Sequence, residues 1–246
     1  NQLKLLLPFE SLLDINKAAA RIEKAIITQE HIKIVGDFDA DGATATALAI
    51  SALKKMGARN LSFLVPNRFF LGYGLTKELL DVAKQDNPGL IITVDNGISS
   101  VEGVEYANEL GIDVLITDHH LAGDILPRAC AIVNPNQPGD PFPSKALAGV
   151  GVIFYVMLAL RRLLQNSNWF KMNNIEIPNM AQFLDLVALG TVADVVPLDH
   201  NNRILVYQGM KRIKQGLMCE GIKALIEISK RNFANLSAVD LGYVVA

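Results

Sequence analysis

Residues 32–42 read Ile32-Lys33-Ile34-Val35-Gly36-Asp37-Phe38-Asp39-Ala40-Asp41-Gly42. The short Ile- and Val-rich run has strand character, Gly36 and the alternating aspartates end it, and the Ala-rich residues 43–56 that follow have helical periodicity. Comparable apolar runs recur at 61–65, 90–94, 114–117 and 131–133, most of them separated by helical patterns, as at 76–84 and 100–110. Strand alternating with helix predicts right-handed βαβ units and a parallel sheet. Strands that are apolar throughout predict a sheet covered on both faces. After Pro143 the pattern turns helical, through 146–164, 181–189, 202–214 and 221–230, while the polar stretch 165–178, with the lone Trp169, reads as a surface connection. The expected fold class is therefore α/β. Its expected division is an N-terminal helical segment over 1–30, a βαβ part over 31–140 and a mainly helical part over 141–246.

The chain has 246 residues, half of them hydrophobic and a fifth charged, which excludes disorder and fits a compact α/β protein. The longest apolar stretch, 146–160, is interrupted by glycines and ends at Arg161 and Arg162, so it predicts a buried helix and no membrane span. Leu5, Leu6 and Leu7 run straight into Pro8 and Glu10, unlike a signal peptide. Cys130 and Cys219 are too few and too far apart for a disulfide framework or a zinc site, and a cytoplasmic location is expected. The formal charge of −2 argues against nucleic-acid binding by bulk positive charge, although two bound divalent cations would reverse its sign. The chain opens on Asn1 and stops at Ala246 within an apolar pattern, which reads as a piece of a longer protein.

Three of the proposed strands end in acidic or histidine residues, where open parallel sheets place their ligands. They are Asp37-Phe38-Asp39-Ala40-Asp41-Gly42, Asp95-Asn96-Gly97 and Asp118-His119-His120. Asp37, Asp39 and Asp41 before Gly42 resemble a calcium-binding EF-hand loop, but the twelfth position, which needs a bidentate Glu, is Leu48. Helix capping accounts for one of these aspartates and not for three, since crowded like charges repel unless a cation sits among them. Asp95-Asn96-Gly97 taken alone is a common turn sequence. Two histidines beside a carboxylate supply imidazole and oxygen donors together. Asp194, flanked by Val192, Val195 and Val196, is costly to bury unless paired or bound to metal, though a helix-terminal aspartate facing water explains it equally well. Carboxylates with imidazoles and no thiolates suit Mn²⁺ or Mg²⁺, and a pair of such ions suits phosphoester hydrolysis. Arg68, with Tyr73 between Gly72 and Gly74, lies where it could hold a substrate phosphate, and Lys145 and Arg203 are weaker candidates for the same role. Gly149-Val150-Gly151 precedes a helix without completing a phosphate-binding glycine loop.

Asp37 to Gly42, Asp95-Asn96-Gly97, Asp118-His119-His120 and Gly190 to Pro197 fall in the order of the four signature motifs of DHH phosphoesterases. Leu7-Pro8-Phe9, the segment from Arg68 to Gly74, Ala148 to Gly151 and Val195 to Leu198 resemble the RecJ branch of that family along nearly the whole chain. The resemblance implies a five-stranded parallel sheet flanked by helices, one or two Mn²⁺ or Mg²⁺ ions, and 5′-to-3′ hydrolysis of single-stranded DNA in recombination and repair. It implies Asp39, Asp41, Asp95, His119 and Asp194 as metal ligands. Asp37 and His120 are ligands or their immediate neighbours, with Asp118 and Asn96 standing behind the ligands. Catalysis is expected to depend on Asp39, Asp41, Asp95, His119, His120 and Asp194. Single-strand-binding protein and a helicase are expected partners. Further DHHA1-type and oligonucleotide-binding domains are expected outside this chain. Many DHH enzymes of other branches carry a histidine ahead of the first aspartates, where this chain has Ile34-Val35-Gly36. Other hydrolases of the family, acting on short oligonucleotides, cyclic dinucleotides or pyrophosphate, and catalytically silent replication scaffolds of the same fold are the alternatives.

Overall fold

The structure, a computed structural model, describes residues 2–66 and 72–246, so Arg68 lies outside the described residues. Five parallel strands, β1 (Ile32–Val35), β2 (Leu61–Leu64), β3 (Leu90–Val94), β4 (Asp113–Thr117) and β5 (Ala131–Val133), form one sheet in the order β2-β1-β3-β4-β5. Between them run α2 (Ala40–Lys55), α3 (Lys77–Ala83) and α4 (Val101–Glu109), preceded by α1 (Ile15–Thr28). After β5 come α5 (Gly149–Asn166), α6 (Trp169–Met172), α7 (Leu184–Ala193), α8 (His200–Lys214) and α9 (Glu220–Ile228). The expected five-stranded parallel sheet flanked by helices is present.

Every residue of β1, β3 and β5 is buried, as continuous apolar strands require when both faces are covered. Ile32, Ile34, Leu90, Ile92 and Val94 face a core built with α1, α2, α5 and α7. The alternate residues Val35, Ile91, Val114 and Ile116 face a smaller core built with α3 and α4. The chain runs outward from β1 to β2 and then crosses back past β1 to β3, so the order of strands reverses between β1 and β3. Ligands of open α/β sheets bind at the carboxyl ends of the strands at such a point. Here that places the loops after β1 and β3, with Asp37–Asp41 and Asp95, side by side.

The stretch 165–178 departs from its reading as a plain surface connection. It contains α6, which buries Phe170, and the Trp169 indole donates to the Met56 carbonyl at 2.9 Å. A short helix without periodicity is invisible to pattern, and long-range contacts hold this one. α7 begins three residues later than its apolar run and is preceded by a 3₁₀ turn at Met180–Phe183.

α7, which ends at the site, is positioned by α8. At Gly209 a β-carbon would stand 2.0 Å from the Leu184 carbonyl oxygen and 2.5 Å from Ala188 Cβ. Gly209→Ala is expected to destabilise the fold by about 1–3 kcal/mol through overpacking, read as a lower urea midpoint. An unchanged midpoint would mean that α7 and α8 are not so closely packed.

Candidate metal centre

The three strand-end loops and the end of α7 converge on one point. Asp39 precedes α2 and caps it, its Oδ1 accepting from Gly42 N at 2.9 Å. Asp41, in the first turn of α2, is wholly buried and accepts from the first two N–H groups of α5, Gly149 to Oδ2 at 2.6 Å and Val150 to Oδ1 at 2.9 Å. Asp37 is buried and accepts from Phe38 N. Asp95 is buried in a left-handed conformation, φ 62°, that turns the chain sharply at the end of β3. Beside it Asn96 donates to the carbonyls of Val35 and Val94, fastening the ends of β1 and β3 together.

After β4, Asp118 is buried and fully engaged. Its Oδ2 accepts from Ile98 N at 2.9 Å, and its Oδ1 accepts from His119 N, His120 N and His120 Nδ1, the last at 2.7 Å. Asn136 and Asn134 donate to the carbonyls of His119 and His120, so the loop is gripped from both sides. These two asparagines are not apparent from the sequence. Their only signal there is their place just after β5, one strand away.

His119 Nε2 stands 3.1 Å from Asp95 Oδ1, 3.5 Å from Asp194 Oδ2 and 3.9 Å from Asp41 Oδ2. Among the described residues, three donor sets have atoms mutually within 4.8 Å: Asp95, His119 and His120; Asp41, His119 and Asp194; and Asp37, Asp39 and Asp95. Asp95 Oδ1, His119 Nε2 and Asp194 Oδ2 are buried atoms without a hydrogen-bond partner. Leaving such groups open is costly unless something absent from the polypeptide meets them. Oxygen and imidazole donors in this number suit a divalent cation such as Mn²⁺ or Mg²⁺.

Electrostatics agree. Burial, with the neighbouring carboxylates of Asp39 and Asp118, pushes Asp95 up to about 9. Asp41 is pushed well up by burial and by Asp95, and Asp194 is raised by burial and by Asp39. Burial opposes ionisation of Asp118 too, but its hydrogen bond and charge pairing with His120 hold it below the usual carboxylate range. The same pairing raises His120 to about 9.

Of the expected substrate groups, Tyr73 lies at the cluster's edge, its hydroxyl 3.5 Å from both ring nitrogens of His120. It shares with His120 and Leu121 the wall of a cleft of about 1050 Å³ that opens beside the cluster. Lys145 donates to the carbonyls of Pro135 and Asp140, and Arg203, in the first turn of α8, donates through Nε to the Leu198 carbonyl.

The raised groups fix the sign of a pH effect. Asp95 binds its proton more tightly folded than unfolded, so its contribution to stability is present at low pH and is lost as pH rises toward about 9; His120 acts in the same sense. The metal-free protein in chelator is therefore expected to lose Tm progressively from about pH 5 to about pH 9, and added Mn²⁺ should raise Tm most at the alkaline end. A chelated Tm that is flat or climbs over that interval would contradict the crowding of carboxylates.

Comparison with known proteins gives the same picture. The family model for the DHH family, N-terminal domain, matches residues 31–191. The single-stranded-DNA-specific exonuclease RecJ of Escherichia coli K12 is 56% identical over 98% of this chain, and its Bacillus subtilis namesake is 41% identical over 97%. The chain spans 42% and 28% of those two relatives. A crystal structure of exonuclease RecJ bound to manganese superposes with a TM-score of 0.80 at 31% identity, covering 97% of this chain and 56% of that one. A Thermus thermophilus RecJ structure in complex with Mn²⁺ gives 0.76 at 30% identity, covering 98% and 32%. With the family's four motifs converging in space and its model matched over most of the length, this chain belongs to the DHH family.

Proposed function

We propose that this chain is the metal-binding catalytic part of a single-strand-specific 5′-to-3′ DNA exonuclease. The observation that carries the reading is the convergence of Asp95 Oδ1, His119 Nε2 and Asp194 Oδ2, three buried atoms from the ends of β3, β4 and α7 that have no hydrogen-bond partner among the described residues. The names of the similar proteins supply the substrate. Asp39, Asp41, Asp95, His119 and Asp194 would hold Mn²⁺ or Mg²⁺, with Asp37 and His120 at the margin of the same cluster. Cations bound there would neutralise the crowded carboxylates, polarise a phosphodiester and acidify an attacking water.

The chain's own residues set the geometry. Asp118 accepts from His120 Nδ1, which orients that ring and favours its charged form, so that Nε2–H would be a donor for a phosphate oxygen. Tyr73, at the mouth of the cleft beside His120, is placed to contact the nucleotide being removed. Arg68 would add a phosphate clamp, with Lys145 and Arg203 weaker candidates because the Lys145 ammonium and the Arg203 Nε donate to carbonyls of the chain. The division into an N-terminal helical segment, a metal-binding βαβ part and a mainly helical part suits this reading, since Asp194 reaches the cluster from the third part. Action in the cytoplasm, beside a helicase and single-strand-binding protein that expose and coat the substrate, completes the proposal.

Mn²⁺-dependent release of mononucleotides from a labelled single-stranded oligonucleotide tests it. Chelation should abolish release, and Asp95→Ala or His119→Ala should each lower it by at least about a hundredfold with the circular-dichroism spectrum retained. Release that survives both substitutions would rule out the proposed site.

A further inference from the structure

Gly149 opens α5 between two carboxylates of the cluster. Its N–H donates to Asp41 Oδ2 at 2.6 Å, and the next N–H, of Val150, donates to Asp41 Oδ1 at 2.9 Å. Ala148, at the cap position, offers α5 no side-chain acceptor, so the carboxylate of another helix takes that place. On the opposite side of Gly149, a β-carbon would stand 2.5 Å from Asp95 Oδ1, 2.6 Å from Asp95 Cβ and 2.7 Å from Asp95 Cγ. Rotation of the Asp95 side chain can move its oxygen but not its β-carbon, which the backbone places. Gly149 is not among the residues with positive φ, so its own conformation does not demand glycine. Space does.

We propose that Gly149 is a positioning residue for the metal centre, an inference that rests on the proposed metal site and not on nuclease activity. Through its backbone N–H it holds Asp41, and through its bare α-carbon it admits Asp95, so one residue sets the separation of two carboxylates that arrive from the first turn of α2 and the end of β3. A side chain at this position must drive the start of α5 away from the end of β3. That movement loosens the grip on Asp41 or displaces Asp95, and either change spoils the spacing a cation requires.

Mn²⁺ affinity, measured by calorimetry or by electron paramagnetic resonance on the folded chain, is the readout. Gly149→Ala is expected to weaken binding by at least about tenfold, the scale on which groups behind metal ligands act. Gly151→Ala is the control, because the nearest atoms its β-carbon would meet belong to the Leu147 side chain and not to the cluster; it should lose stability and keep Mn²⁺ affinity. Replacing the backbone N–H of Gly149 by an ester oxygen removes its donor to Asp41 Oδ2 without adding bulk, and it too should weaken binding, which guards against failure of the alanine variant to fold. Unchanged affinity in either the folded Gly149→Ala protein or the ester, or an equal loss in Gly151→Ala, overturns the proposal. A wild-type chain that binds no Mn²⁺ overturns both this inference and the metal site. A wild-type chain that binds Mn²⁺, is weakened by Gly149→Ala and releases no nucleotides supports the inference and sinks the nuclease reading alone.

Discussion

The two N–H groups at the start of α5 and the carboxylate of Asp41 meet in a contact on which the site and much of the fold depend. The benefit is mutual. The first N–H groups of a helix have no partner within it, and a carboxylate at zero exposure needs donors that water cannot supply. From that anchored end α5 runs across the sheet against α1 and α2, and α7 packs on α2 and α5, so that its last turn delivers Asp194 beside His119. The helical half of the chain is thus fastened to the strand half at the centre of the acidic cluster, and Asp194 is aligned by the same contact.

The cluster is unfavourable by itself, and that is informative. Asp41, Asp95 and Asp194 are all pushed toward the neutral form by burial and by neighbouring carboxylates, Asp39 among them for Asp95 and Asp194. Two non-glycine residues beside the cluster, Asp95 and Val195, adopt left-handed backbone conformations that cost about 1–3 kcal/mol each. Val195 is β-branched and 67% exposed, so packing does not explain its strain. Left-handed non-glycine residues occur elsewhere too, at Asp14, Gln29, Asn87, Asn168, Asn174 and Lys230, but at the cluster a buried aspartate and a β-branched valine adopt that conformation together. Proteins tolerate such breaches where function requires them, offsetting the loss in a core such as the large one between the sheet and α1, α2, α5 and α7.

That contrast explains what can be read from the sequence. β1, β3 and β5 are legible to the residue, because buried parallel strands are short apolar runs ended by turn residues. The residues of the cluster are legible because chemistry demands particular side chains at strand ends. What the sequence does not display is the partner of a backbone group. Gly149 reads as part of an incomplete glycine loop, since its contacts, Asp41 and Asp95, lie far away in the chain. Asn134 and Asn136 stand in no pattern of their own, yet they hold the loop carrying His119 and His120. α6 escapes because Trp169 is anchored on Met56, more than a hundred residues earlier, and no periodicity records that.

Asp95 and Asp118 end adjacent strands, are equally buried and lie in the same field of charge, yet they have opposite fates. Asp118 closes its hydrogen bonds within the chain, accepting from three backbone N–H groups and from His120, and is held in its charged form. Asp95 keeps an oxygen open and is pushed toward its neutral form. A carboxylate with structural work alone satisfies itself, as Asp118 does, because an empty buried acceptor only costs stability. An acceptor left empty beside an imidazole nitrogen that is also empty has no such account. The two strand ends therefore share the work between them. Asp118 makes the loop rigid and orients its histidines, so that His119 Nε2 is held beside Asp95 Oδ1, oxygen and imidazole donors together, as a divalent cation would use them.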